Sequence, residues 1–183
     1  MILTINIVNL AGVIDELNHT AKGMRLPDLR RLIANLKPER AEFEPFIQFT
    51  ENHYARNLIH KTPDFEVLVL CWRAGQRSPI HDHGDSICAV RVVDGVLSAD
   101  NYQRSAAGHL RADYSEDLKP GSVLSIQKTE IHQVSNLQDA GDLVSLHFYL
   151  APLENNRVFS VMQPSFEAYR PGYTRVFIHA DGI

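Results

Sequence analysis

The residues from Gly75 to Cys88, with the pair His81-Asp82-His83 at their centre, are followed later by His132-Gln133-Val134-Ser135-Asn136, and together they read as a metal site. In an extended strand, residues two apart point to the same face, so His81 and His83 can present both imidazoles to one ion. A third ligand must come from elsewhere in the chain. Three histidines on one side of an octahedral ion would leave its other side open, the arrangement in which non-haem iron binds a substrate and oxygen together. A histidine pair of this kind also occurs as a plain surface pair, so the surroundings decide.

Those surroundings have a pattern. Gly75 lies six residues before His81, Gly95 seven after Cys88, and Gly121 eleven before His132, with Asn136 four beyond it. This resembles the two motifs of the cupin superfamily. In that pattern a glutamate follows the histidine pair as a fourth ligand, but Cys88 stands at the corresponding position, and the proline and second glycine of the second motif are replaced by Gln127 and Thr129. The resemblance therefore implies a three-histidine site without a protein carboxylate. Neutral imidazoles leave a divalent ion its full positive charge, which favours an anionic ligand such as a thiolate. The missing anion is expected to arrive with the substrate.

A second group lies in Ser145-Leu146-His147-Phe148-Tyr149, whose alternation puts Ser145, His147 and Tyr149 on one face of a strand. That face could line an interior, but an outward polar face with Leu146 and Phe148 in the core has the same pattern and is the reading that alternation alone favours. Tyr54 and Arg56 form a similar pair, open to the same two readings.

Taken with Tyr54-Ala55-Arg56-Asn57, Cys71-Trp72, Pro79-Ile80-His81-Asp82-His83, Asp85-Ser86-Ile87-Cys88 and Ile131-His132, the chain resembles the cysteine dioxygenases, thiol dioxygenases of the cupin superfamily, from about residue 54 to 150. The resemblance implies that His81, His83 and His132 hold Fe(II), that Arg56 grips the substrate carboxylate with support from Tyr54, and that Trp72 packs the site. It implies that Ser145 and His147 tune the phenol of Tyr149, and that Cys88 and Tyr149 can join in a thioether. The reaction expected is conversion of L-cysteine and O2 to cysteine sulfinate. Alternatives are a dioxygenase for 3-mercaptopropionate, whose members generally carry glutamine at the Arg56 position and lack the cysteine, and a non-catalytic metal-binding cupin. Gly84 and Ile87 depart from the threonine and histidine of mammalian-type members, and Ala151 replaces the first of a proline pair. These departures leave the ligands intact and put the local loop shape in question.

The elements that must position these groups are legible as a change of pattern. Residues 1–46 look helical: Ile7, Leu10, Ile14 and Leu17 have helical spacing, and Pro27-Asp28 opens a second amphipathic run that ends before Pro38. From Tyr54 onward, β-rich runs at 65–72, 86–93, 96–102, 122–127 and 143–150 are separated by Gly, Asp and Pro, the pattern of a small antiparallel barrel or sandwich. Asp94-Gly95 reads as a tight type I′ hairpin. The expectation is a mainly β, cupin-type barrel (double-stranded β-helix or jelly roll): one domain over 1–183, with a helical cap at 1–46, a barrel core at 54–150, and strands from 151–183, including 173–178, folding back over it.

At 183 residues the chain suits one well-buried domain. A net charge of −4 without any Lys/Arg cluster argues against nucleic acid or an anionic membrane as partner, and no obligatory protein partner is evident. The first residues lack a basic leader, and the two cysteines, Cys71 and Cys88, are expected as thiols in the cytoplasm. His19, His53, His60, His109 and His179 belong to no motif and are taken as surface or structural.

Overall fold

The computed structural model of the chain describes residues 9–177. Its strands are β1 (Ala55–Lys61), β2 (Phe65–Trp72), β3 (Ile80–His81), β4 (Ile87–Asp94), β5 (Leu97–Arg104), β6 (Leu110–Leu118), β7 (Val123–Ile126), β8 (Ile131–Ser135), β9 (Leu143–Leu150), β10 (Asn156–Phe159), β11 (Phe166–Tyr169) and β12 (Arg175–Val176). They form two six-stranded sheets, ordered β12-β1-β2-β9-β4-β7 and β11-β10-β3-β8-β5-β6. All pairs are antiparallel except β1 with β12.

Helix α1 (Leu10–Thr20) begins where the Asn9 side chain accepts the Gly12 N–H at 2.9 Å. Ile7, read as the start of this face, lies outside the described residues. Pro27 sits in the first turn of α2 (Leu26–Asn35), where a missing N–H costs nothing. A short α3 (Arg40–Phe43) is closed by a capping box between Glu39 and Glu42, and Glu42 also accepts the Leu10 N–H at 3.0 Å, joining α3 to the start of α1.

These helices explain why two strands are buried at every position. Apolar residues of the helices, among them Leu17, Leu29, Ile33 and Phe43, pack on the outward side chains of the first sheet: Val67, Val69, Leu146 and Phe148. The inward side chains of the same strands, such as Leu68, Leu70 and Trp72, meet Leu97, Ala99 and Val134 of the second sheet inside the barrel. Both faces of β2 and β9 are therefore covered. The outward-facing reading of Ser145, His147 and Tyr149 is corrected here: all three are buried, because helices and not water cover the Leu146/Phe148 face. Alternation in β9 separates a polar interior from an apolar exterior, the reverse of the usual half-buried strand.

Two local expectations also change. Asp94-Gly95 is not a hairpin, since β4 pairs with β7 and β9 while β5 pairs with β6 and β8. The dipeptide carries the chain from one sheet to the other, and only Gly95 has positive φ, at 76°. A β-carbon on Gly95 would sit 2.4 Å from the Asp142 carbonyl oxygen, so close approach is the reason for glycine. The second change concerns β3, which ends at His81, so His83 lies in the following turn and not on the same strand face. Gly84 there has φ 56°, and a β-carbon would fall 2.1 Å from the Asn155 carbonyl oxygen, so threonine cannot occupy this backbone. The run expected at 173–178 narrows to β12, with Ile178 outside the described residues.

Because β9 is buried on both faces, Phe148→Ala should lower unfolding free energy by about 3–5 kcal/mol, whereas Tyr114→Ala, at a 54% exposed position, should change it by less than about 0.5 kcal/mol. Urea titrations of the two variants and the parent check this.

Candidate metal centre

Strand pairing assembles the histidines. His81 on β3 is the cross-strand partner of His132 on β8, with Val158 of β10 on its other side. His83 reaches the same point from the turn, where its N–H donates to the Lys128 carbonyl at 3.2 Å and its own carbonyl accepts the Ser86 N–H at 2.9 Å. One ligand nitrogen from each of His81, His83 and His132 lies within 4.8 Å of the others. Between them Asp82 is fully buried, and its oxygens face away toward Arg157, whose Nε donates at 2.6 Å and backbone N–H at 2.9 Å. No acidic group joins the cluster among the described residues.

The donor set fits a metal ion. Nε2 of His132 lies 3.1 Å from Nε2 of His83, the separation of two nitrogens about 2.1 Å from a shared ion and at right angles to each other. A single proton could serve that pair alone, whereas an ion serves all three nitrogens. His81 Nδ1 bonds the Pro79 carbonyl at 2.9 Å, and a carbonyl only accepts, so Nδ1 carries the proton and Nε2 keeps its lone pair. Burial, opposed by the Pro79 bond and helped by the positive Arg56, pushes the His81 pKa down to about 4. Burial and then neighbouring histidines hold His83 and His132 well below the ordinary range. All three rings are thus neutral at about pH 7, the form that ligates. His83 Nδ1 is buried without a partner, and its ring rests edge-on against Tyr149 with centroids 5.4 Å apart.

A polar relay enters the same cavity from β9. Trp72 Nε1 donates to Ser145 Oγ at 3.1 Å, Ser145 Oγ lies 3.0 Å from His147 Nε2, and His147 Nδ1 lies 3.1 Å from the Tyr149 oxygen. Indole is a donor only, so the buried serine proton finds its acceptor at His147 Nε2. Neutral His147, kept so by burial and by the charge of Arg56, then carries its proton on Nδ1 and donates to Tyr149. The phenol proton is left free to point into the cavity. Burial, then Cys88, raises the Tyr149 pKa well above the ordinary value, with Arg56 opposing. Cys88 is the cross-strand partner of Tyr149, and burial holds its thiol protonated.

Arg56 completes the cavity, whose apolar wall is Leu70, Ile126 and Val134. It is 7% exposed; Nε donates to the Gly172 carbonyl at 3.1 Å, and Nη2 is buried without a partner. Burial disfavours its charge, but Tyr149, Tyr54 and the Glu66 carboxylate outweigh that and raise its pKa. Tyr54 stacks on Trp72 at 4.2 Å. Every side chain singled out in the sequence as a site residue therefore meets at this cavity or borders it. Glu66, Arg157 and Tyr173 were not singled out. A glutamate among the apolar residues of β2 was the signal for Glu66; contacts made by the C-terminal segment have no local signature. His19, His53 and His109 are exposed, His60 stacks on Phe65 at 5.1 Å, and His179 lies outside the described residues.

Comparison with known proteins gives the family and the fold. The family model for cysteine dioxygenase type I matches residues 6–162. The chain belongs to this family. Cysteine dioxygenase type 1 of Danio rerio is 26% identical over 141 residues, covering 74% of this chain and 70% of that protein. The Rattus norvegicus cysteine dioxygenase type 1 is 25% identical over 156 residues, covering 82% and 78% respectively. Among solved structures, a Klebsiella pneumoniae protein with a double-stranded β-helix domain superposes with TM-score 0.52 at 16% identity, over 63% of this chain and 86% of that one. A Thermus thermophilus protein gives TM-score 0.51 at 13% identity, over 60% and 93%. The cysteine dioxygenase family is thus built here on the cupin-type double-stranded β-helix, with helices packed outside it.

Two outcomes follow. His132→Ala should lower metal affinity by more than about a hundred-fold, read as metal bound per chain after dialysis against a competing chelator. In the metal-free protein the folded His81 pKa of about 4 lies below the ordinary 6.5, so the unfolded chain binds the proton first. Stability should be greatest above the ordinary value and fall as pH drops toward about 4, as urea midpoints across that range will show.

Proposed function

We propose that the protein is an iron-dependent thiol dioxygenase that converts L-cysteine and dioxygen to cysteine sulfinate. One observation carries the substrate assignment: the buried Arg56 guanidinium has an unpartnered Nη2 in the cavity that the three histidines share. A buried cation with free donors suits a carboxylate, because the planar fork offers charge-assisted bonds at a fixed distance from the ion. Glutamine could not supply that charge, which favours cysteine over 3-mercaptopropionate on the family pattern.

His81, His83 and His132 would hold the iron, which when bound supplies the redox chemistry by which dioxygen reacts with a thiolate. Arg56, with Tyr54 beside it, would fix the carboxylate and so place the sulfur next to the ion, exchanging translational freedom for proximity. Both oxygen atoms end on sulfur, which supplies the electrons, so no external reductant enters the balance. The phenol of Tyr149, its oxygen held by the His147 N–H, would donate its proton toward the oxygen-bearing side of the cavity. Ser145 and Trp72 keep His147 in the tautomer that leaves that proton free. Cys88, across the strand from Tyr149, would join a ring carbon of it in a thioether that stops rotation of the ring, the S–H and C–H hydrogens leaving as two protons and two electrons that dioxygen takes up to give hydrogen peroxide. Free, buried Cys71 and Cys88 support a reducing compartment, the cytoplasm. Among the described residues no helix is long and apolar enough to cross a membrane.

The test is oxygen uptake by iron-loaded protein with L-cysteine or 3-mercaptopropionate, with product identified by mass. L-cysteine should be oxidised preferentially to its sulfinate, and Arg56→Gln should raise its KM by about ten- to a hundred-fold while iron content stays unchanged. Preference for 3-mercaptopropionate would move the substrate, and no uptake at full ferrous occupancy would leave a metal-binding cupin.

A further inference from the structure

Arg56 is held from a part of the chain far from it in sequence. Its Nε donates to the Gly172 carbonyl at 3.1 Å, its backbone N–H to Thr174 Oγ1 at 2.9 Å, and its carbonyl accepts the Thr174 N–H at 2.8 Å. Because a guanidinium is planar, fixing Nε fixes where the Nη fork points. Gly172 has no side chain with which to anchor that carbonyl, and a β-carbon there would meet nothing within 4 Å. The anchor is the next residue. The Tyr173 hydroxyl donates to Glu66 Oε2 at 2.5 Å and accepts from Lys61 Nζ at 3.0 Å. Glu66 is fully buried; its other oxygen accepts the Leu153 N–H at 3.1 Å, and Lys61 lies 3.8 Å from its carboxylate. A buried carboxylate bound in this way is a fixed point, and Tyr173 ties the 172–174 segment to it. Glu66 is also the cross-strand partner of Tyr149, so the same strand pair carries the phenol of the cavity and the tether of its arginine.

We propose that Tyr173 is a positioning residue for Arg56, acting through the Gly172 carbonyl, and that the Tyr173–Glu66 bond sets the preference for thiols that carry a carboxylate. This rests on Arg56 as the carboxylate anchor. Tyr173→Phe keeps the ring and removes only the hydroxyl. Two readouts apply, one of them independent of turnover: hydrogen exchange of the Arg56 Nε–H by NMR, and KM and kcat of iron-loaded protein with L-cysteine and with cysteamine, an aminothiol without a carboxylate. Tyr173→Phe should speed the exchange and raise KM for L-cysteine, each by about ten-fold, with kcat and the cysteamine KM moving less than about two-fold and iron content constant. Glu66→Gln, which retains an acceptor, should fall between this variant and the parent. Unchanged exchange, an unchanged L-cysteine KM, or an equal rise for both thiols would overturn the proposal. If the parent oxidises neither thiol, the dioxygenase reading fails, and the exchange of Arg56 still decides whether Tyr173 holds it.

Discussion

Asp82 lies between the histidines of the HxH pair and is as buried as any residue in the protein, with both carboxylate oxygens committed elsewhere. Arg157 answers it with Nε, Nη2 and its own backbone N–H, and the Asp82 N–H returns a bond to the Arg157 carbonyl at 3.1 Å. The pair is one-sided, with Asp82 fully buried and the Arg157 side chain 39% exposed, so it is the loss of Arg157 that would leave a buried carboxylate without its counter-charge. The pair is held in turn by aromatic packing: the Arg157 guanidinium lies 5.7 Å from the Phe159 ring centre and 5.2 Å from that of Phe166, with Arg104 over the same two rings. With its intervening side chain pinned outside, the backbone on either side turns His81 and His83 toward His132.

The barrel solves a second problem, that of placing many polar groups in a dry interior without stranding them. His83, His132, His147, Arg56, Tyr149 and Ser145 are buried together, and each calls for a hydrogen-bond partner. The β9 relay satisfies its members by order: a donor-only indole at one end dictates the direction of every later bond and leaves one phenolic proton at the other. The histidine cluster and Arg56 are different, because among the described residues no hydrogen-bond partner meets Arg56 Nη2 or His83 Nδ1. With the carboxylate ligand of the usual cupin pattern replaced by Cys88, the cavity is short of negative charge.

Each wall of the cavity depends on something outside it. The helices bury the outward face of β9 and thereby make its polar face interior. The β10–β11 hairpin supplies Arg157 and the residues that pack on it. Residues 172–174 brace Arg56 from the end of the described chain. Parts remote in sequence therefore hold groups that act at one point, and the rigid antiparallel sheets between them transmit the placement.

Much of this was legible in the residues themselves. The runs at 65–72 and 143–150 match β2 and β9 at both ends, because β-branched and aromatic residues bounded by Gly, Pro and Asp specify strands locally. The spacing of His81, His83 and His132 identified a candidate metal set, since ligand chemistry belongs to residue type. β6 escaped notice because its mostly exposed, charged face carries no apolar period. Asp94-Gly95 misled because a turn dipeptide reports backbone conformation and not which strands it joins. The sequence determined which groups were available and where strands could form; which face of β9 became interior, and which carbonyl holds Arg56, only the tertiary structure decided. Alternation defines two faces without naming them, and it takes packing helices on one side and a closing segment on the other to make one of them a site.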